Sequence, residues 1–181
     1  MASTWHDEFR NRMAEFDGQM ASGSEGASLS IKVRVSSGCY HREHSPNAYA
    51  ELDKYLALHP IDPKTTHLHE HESGPELLVY LAVTTVGLAL SRSVVDLIMT
   101  IIKARSDGIN KGDKPRDPLE LIVRRVQKEG EYHEEVVLRI EANTVVSKDM
   151  VKKAIDGVLQ KLPEHKSLES PKTPSRGKKK H

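Results

Sequence analysis

Three histidines at alternate positions, His67, His69 and His71, are the residues whose type and spacing best suit metal binding. Side chains on a β-strand repeat every two residues, so all three would share one face if this segment is a strand. The segment "CYHREH" at 39–44 adds one cysteine and two histidines in a predicted loop. Zinc accepts these ligand types, but neither spacing matches a structural zinc motif. We therefore predict no metal site and no cofactor.

The sequence also lacks the common signatures of a catalytic centre. It contains no glycine-rich phosphate-binding loop and no Gly-x-Ser-x-Gly turn around a nucleophilic serine. The single cysteine, Cys39, could pair with a histidine as a nucleophile, but no spacing favours such a pair. A lone cysteine cannot form an internal disulfide, which is typical of a reducing compartment. The N-terminus also lacks a signal-peptide pattern, so we predict a cytoplasmic protein. Because the catalytic signatures are missing, we also predict that it is not an enzyme.

A long apolar segment, Glu76–Ala104, contains a second pair of interest, Arg92 and Asp96. Ser73 and Glu76 resemble a capping box, so we predict a helix over 76–104. Such a helix would be about 43 Å long, which exceeds the width of about 33 Å expected for a domain of about 100 residues. Its polar residues form only a narrow stripe, so most of its surface is apolar and must be buried against another apolar environment. Arg92 and Asp96 stand four residues apart, and we predict that they pair inward or across an interface.

Three environments could cover this predicted helix: a protein partner or second copy, a lipid bilayer, or the domain's own core. Arginine and aspartate at the centre of a bilayer cost about 2.5–3.5 kcal/mol each, whereas each leucine, isoleucine or valine returns about 0.3–0.6 kcal/mol. A single crossing would also place the predicted strands on opposite sides of the membrane. We therefore predict an interaction helix, with membrane insertion and a broken core helix as the alternatives.

The remaining elements define the domain that positions these residues. Apolar and polar residues alternate in the first strand, and the predicted strands are 29–36, 65–71, 119–126 and 134–142. The order βαβ, long helix, ββα predicts an α+β domain over 29–162, with a small mixed four-stranded sheet and helices packed on it. A helical crossover predicts that the first two strands are parallel. Ser45 and Ser147 are the predicted caps of the first and last helices.

The two ends of the chain are predicted to lie outside this domain. In residues 1–28, apolar residues recur at helical spacing and precede a Gly/Ser-rich linker: Trp5, Phe9, Met13 and Phe16. This aromatic face is predicted to dock on a partner, with packing against its own domain as the alternative. Residues 163–181 form a basic tail that we predict to be disordered. The net charge of the chain is only +1, so we predict no specific binding of nucleic acid.

From Tyr49 to Leu162, the order of the elements and the pattern of residue types within them resemble the effector-associated constant component family of bacterial conflict systems. The resemblance rests on "AYAELDKYLALHP", on the Gly/Ala/Leu/Val-rich segment ending in "IIKARS", on "LELIVRRVQKEGEYHEEVVLRIEA" and on "VSKDMVKKAIDGVLQKL". It implies a non-catalytic component encoded beside NTPase-coupled modules and effectors such as trypsin-like or caspase-like peptidases. It implies no catalytic residues.

Together, these features predict an adaptor or assembly component of a bacterial defence system. Such a protein would act by contact with an NTPase-coupled or peptidase effector, by self-association through helix 76–104, or both. The predicted partner-binding residues are Trp5, Phe9, Met13, Phe16, Arg92 and Asp96. The alternative is a membrane-associated effector or anchor that uses helix 76–104.

Overall fold

A computed structural model describes Ala14 and residues 28–37, 40–61, 66–71, 74–80, 92–114, 116–126, 132–142 and 144–161. These residues contain five strands and three helices in the order β1 (Ser28–Val35), α1 (Pro46–Leu58), β2 (Thr66–His71), β3 (Gly74–Tyr80), α2 (Arg92–Asn110), β4 (Leu119–Val126), β5 (Tyr132–Ile140) and α3 (Lys148–Leu159). The predicted α+β class is confirmed. The predicted helix in 1–28 and the tail 163–181 lie outside the described residues, apart from Ala14.

The sheet differs from the predicted one in the number and direction of its strands. Its order is β2-β3-β1-β4-β5, and every neighbouring pair is antiparallel. The four predicted strand segments correspond to β1, β2, β4 and β5, but the described part of the chain adds β3. The mixed four-stranded sheet is therefore corrected to an antiparallel sheet of five strands. β1 and β2 run in the same direction, as the crossover predicted, but β3 lies between them.

The predicted helix over 76–104 is wrong at its start, because Gly74–Tyr80 is strand β3. Leu77 is buried and is paired with Ile31 of β1 and Leu68 of β2. Glu76 lies within β3, so the predicted capping box does not start a helix. A short apolar run fits a covered strand as well as a buried helix, and periodicity alone does not separate them.

Helix α2 starts at Arg92 and extends to Asn110, beyond the predicted end at Ala104. The part of the predicted helix over 81–91 lies outside the described residues. At 19 residues, α2 is about 28 Å long and fits within the expected width of the domain. The described helix is therefore short enough for its own domain to cover it.

One face of the sheet carries the hydrophobic core. Leu29, Ile31, Val33 and Val35 of β1 are all buried there. The buried apolar residues of all three helices belong to the same core, including Tyr49 of α1, Ile98 of α2 and Ile155 of α3. The helices therefore cover one face of the sheet. Their packing in this shared core fixes the positions of the ends of α1, α2 and α3.

Candidate functional site

The C-terminal end of α1 and the first turns of α2 and α3 meet at a surface with both charged and apolar side chains. The Asp96 carboxylate of α2 forms an ion pair with Lys148, the first residue of α3. On its other oxygen, Asp96 lies 3.8 Å from Nε of Arg92. We define the helix-end surface as Leu58, His59, Arg92, Asp96, Lys148 and Met150.

Arg92 and Asp96 do not form the predicted inward-facing pair. Their side chains are 91% and 28% exposed, and the closest partner of Asp96 is Lys148 rather than Arg92. An exposed ion pair contributes little to stability, because water and salt screen it. Removal of Asp96 is therefore expected to change the stability of the isolated chain only slightly. A contact of Arg92 and Asp96 with a partner stays a prediction.

Tyr55 of α1 joins this polar cluster from the neighbouring helix. Its ring stacks on that of His59, with the ring centroids 4.4 Å apart. Within α2, Thr100 Oγ1 donates to the Asp96 carbonyl oxygen at 2.8 Å. Burial and, next, the negative charge of Asp96 raise the pKa of Tyr55. The hydrogen bond from Lys148 lowers the pKa of Asp96.

We expect Asp96→Asn to lower the pKa of Tyr55 without restoring its ordinary value, because burial remains. Folding favours the neutral phenol, so the stability that Tyr55 contributes is complete below about pH 10 and is lost as the pH rises through the folded pKa. Alkaline titration of the phenolate absorbance measures this shift, and Tyr55→Phe identifies the signal of Tyr55 among the five tyrosines. An unchanged Tyr55 pKa in Asp96→Asn would show that the two groups are not coupled.

Exposed apolar residues lie at or next to the ends of helices that carry the charged cluster. The described large hydrophobic residues with high exposure are Leu58, Val136, Val145 and Met150. Leu58 is 77% exposed and adjoins His59, while Val145 and Met150 lie within three residues of Lys148. Single exposed hydrophobic residues are common on protein surfaces. Three of these four lie at or next to the end of α1 or the start of α3, and such a mixture of apolar and charged residues resembles the composition of protein contacts.

A second polar cluster joins the start of α1 to the end of α2. Helix α2 ends in a Schellman motif, in which Gly112 has a φ of 106° and Asp113 N donates to Gly108 O at 2.9 Å. The buried Asp113 carboxylate then accepts hydrogen bonds from Asn47 N at 3.3 Å, Asn47 Nδ2 at 2.7 Å and Ala48 N at 2.9 Å. Asp113 therefore caps α1 from a distant part of the chain.

Ser45 does not make the predicted cap, because its hydroxyl donates to the Lys114 carbonyl oxygen at 3.1 Å instead. The predicted cap by Ser147 is confirmed, since its hydroxyl accepts from Met150 N at 3.2 Å. Both serines stand directly before a helix, so only the tertiary contact distinguishes them.

Arginines and tyrosines fix the loop between β1 and α1. Arg105 is buried, donates to the Asp117 carbonyl oxygen at 2.8 Å and lies 5.4 Å from the centroid of the Tyr40 ring. Burial lowers the pKa of Arg105. Arg42 forms a bidentate pair with Asp53 and lies over Tyr49. These contacts are internal to the fold, so we assign this cluster to structure and not to chemistry.

The histidines singled out by the sequence fall into two places. His67, His69 and His71 lie in β2, an edge strand, as predicted. The rings of His41 and His44 lie 4.4 Å apart in the loop before α1. Among the described residues, no group of three or more potential ligands is arranged to hold a metal ion. Trp5, Phe9, Met13 and Phe16 lie outside the described residues.

Sequence reasoning missed the links of Tyr55, Thr100 and Lys148 to Asp96 and the capping role of Asp113. The four-residue spacing of Tyr55 in α1 and His59 directly after it is a local signal that predicts their stacking. The contact between Asp96 and Lys148 joins residues 52 positions apart, and no local pattern marks it.

No family model matches the sequence, and no curated protein or solved structure matches it. Within the part of the chain that the structure describes, no helix has the length and apolar character to cross a membrane.

Proposed function

We propose that this protein is a non-catalytic adaptor or assembly component of a bacterial defence system. It acts by contact with an NTPase-coupled or peptidase effector. The observation that carries the proposal is the helix-end surface, where Arg92, Asp96 and Lys148 are ion-paired and the ends of α1 and α3 carry exposed Leu58 and Met150. The resemblance over Tyr49–Leu162 supports the class of partner.

The chemistry of the helix-end surface favours contact over catalysis. Asp96 is ion-paired with Lys148 and Arg92, and the ring of Tyr55 is stacked on that of His59. A catalytic nucleophile needs an adjacent base with access to a substrate, and these groups are instead engaged with one another. Apolar side chains beside fixed charges suit a partner surface, where the apolar groups supply affinity and the charges supply orientation.

The N-terminal aromatic face is a second proposed contact. Trp5, Phe9, Met13 and Phe16 precede a Gly/Ser-rich linker, so the segment can reach a partner while the domain stays bound. Two tethered contacts raise the overall affinity for a partner above that of either one.

We expect the protein to co-purify with an NTPase or peptidase encoded beside its gene when the two are co-expressed. Combining Leu58→Asp and Met150→Asp should weaken the complex about tenfold or more, because charges replace apolar contacts. Calorimetry with the purified components measures the affinity. Ala50→Asp is the matched control, since Ala50 is also exposed but lies near the start of α1, about 12 Å along the helix from Leu58.

Wild-type affinity in the Leu58/Met150 double variant would remove the helix-end surface from the proposal. Failure of every neighbouring component to bind would contradict the adaptor function itself. Light scattering on the isolated protein tests the alternative contact, which is with a second copy.

The alternative proposal is a membrane-associated effector or anchor. The observation that favours it is the apolar sequence "LAVTTVGLALS" directly before Arg92. Sedimentation with vesicles of neutral and of anionic lipid tests this alternative. Binding to neutral vesicles that resists high salt would favour it, and protein left in the supernatant with both vesicle types would exclude it.

A further inference from the structure

The sheet has a second face, opposite the three helices. Cross-strand register places Lys32, Ile122 and Val136 in one row of this face, Ser30 and Arg124 in a second row, and Arg34 and Glu120 in a third. We call these seven residues the outer face. In β1 and β4, these residues alternate with core residues of the same strand. In β5, a bulge opposite Leu121 and Ile122 shifts the register, so that Val136 lies opposite Ile122.

The centre of the outer face is buried, although no described helix covers it. Ile122 is 2% exposed and Ser30 is 1% exposed. All buried apolar residues of the helices belong to the core on the opposite face, and Ile122 is not a member of that core. An antiparallel sheet can leave one face in water, and residues at the centre of such a face are then exposed. The burial of Ser30 and Ile122 is instead typical of a covered face.

The composition of the outer face indicates what kind of cover it takes. Ile122 and the 49% exposed Val136 form an apolar strip across β4 and β5. Ion pairs border this strip on both sides, with Arg34 Nε 3.0 Å from Glu120 on one side and Arg124 paired with Glu134 on the other. An apolar strip between charges suits an amphipathic helix with an apolar stripe and polar flanks.

We propose that residues 4–17 of the same chain dock on the outer face through Trp5, Phe9, Met13 and Phe16. The N-terminal segment joins the domain at Ser28, the first residue of the central strand β1. It therefore enters the fold at the middle of the sheet, within reach of the outer face. The one residue of the segment that the structure describes, Ala14, is helical and exposed, and it lies outside the apolar series.

The linker is long enough for this docking. Residues 18–27 span about 16–19 Å as a flexible chain and at most about 33–36 Å when extended. Two strand spacings, from β1 to β5, are about 10 Å, and a helix over 4–17 is about 21 Å long. A short flexible tether also gives a local concentration in the millimolar range, so even a weak contact would be occupied most of the time.

Docking in this way hides the aromatic face from other proteins. A partner that binds Trp5 and Phe9 must first displace the segment from its own sheet, so the docked state restrains partner binding. The docking itself needs no partner. It therefore goes beyond the adaptor function, and either proposal can fail without the other.

Trp5 is the only tryptophan of the chain, so the tryptophan fluorescence of the full-length protein reports on this segment alone. We expect acrylamide to quench Trp5 several-fold less in the full chain than in a peptide of residues 1–27, at every protein concentration. Val136→Asp places a charge in the apolar strip and should raise quenching towards the peptide value. Val145→Asp, an exposed valine before α3, is the matched control and should leave quenching unchanged.

A second pair of variants leaves the domain intact. Phe9→Asp should raise the quenching of Trp5, and Ala14→Asp should not. Circular dichroism verifies that each variant is folded. Quenching of the wild-type protein at the peptide value would overturn the proposal. Protection that appears only at high protein concentration would also overturn it, because the segment would then dock on a second copy.

Discussion

Asp113→Ala is expected to lower the free energy of unfolding by about 2–3 kcal/mol, because it leaves buried donors at the start of α1 without their acceptor. The carboxylate accepts from the backbone N–H groups of Asn47 and Ala48 and from the Asn47 side chain. A loss of this size corresponds to a fall in Tm of about 5–10 °C for a chain of this length. Thermal and urea unfolding followed by circular dichroism measure it.

The controls for this prediction separate the cap from general effects of removing an aspartate. Asp113→Asn keeps one oxygen acceptor and should retain part of the lost stability. Asp107→Ala changes a half-buried aspartate of α2, six residues before Asp113, and should shift stability by only about 0.5 kcal/mol. If Asp113→Ala and Asp107→Ala had equal effects, α1 would not depend on a cap from Asp113.

Gly108→Ala is the second substitution for which we expect a large loss, although alanine normally favours a helix. A Cβ at position 108 would lie 2.3 Å from Asp113 Oδ2 and 3.0 Å from both Cβ and N of Ala48. Overpacking of this kind costs about 1–3 kcal/mol, which outweighs the gain of about 0.5–1 kcal/mol from replacing a helical glycine. Urea unfolding should therefore show a less stable protein.

Gly157→Ala in α3 is the matched control, because nothing lies within 4 Å of the added Cβ. It should stabilise the protein by about 0.5–1 kcal/mol. The double variant Gly108→Ala with Asp113→Ala should lose less than the sum of the single variants by more than about 0.5 kcal/mol, since the closest clash is with Asp113 itself. Two additive losses would show that the two positions are not coupled.

Local sequence patterns were sufficient for much of the fold. The alternation of Leu29, Ile31, Val33 and Val35 predicted β1 and its buried face, because side chains of a strand alternate between two environments. Ser147 predicted the start of α3 for a similarly local reason, since its hydroxyl caps the first turn of its own helix. In both cases the interaction involves residues close together in the sequence.

The segment from Gly74 to Asn110 shows where local patterns were insufficient. An apolar run is compatible with a covered strand and with a buried helix, and pairing of Leu77 with both Ile31 and Leu68 decides for the strand. The end of α2 does carry a sequence signal, because Gly112 supplies the positive φ that a Schellman motif requires. Gly112 can be recognised as the end of α2 only when this helix is known to continue past Ala104.

Only part of the helix-end surface could be predicted from the sequence, for the same reason. The four-residue spacing of Arg92 and Asp96 predicted their proximity, and they do lie within 3.8 Å of each other. Whether the pair is buried or exposed depends on how α2 packs, and Lys148 reaches Asp96 only because the start of α3 lies beside α2.

Local patterns were enough to predict the α+β class, four of the five described strands and the cap of α3, because these depend on side-chain periodicity and on contacts within one turn. The packing of the folded chain was needed to show that Gly74–Tyr80 is a strand between β2 and β1 and that Asp96 pairs with Lys148. It also decided that Asp113, and not Ser45, caps α1. Each of these depends on residues distant in sequence, whose proximity is set by the packing of helices on the sheet.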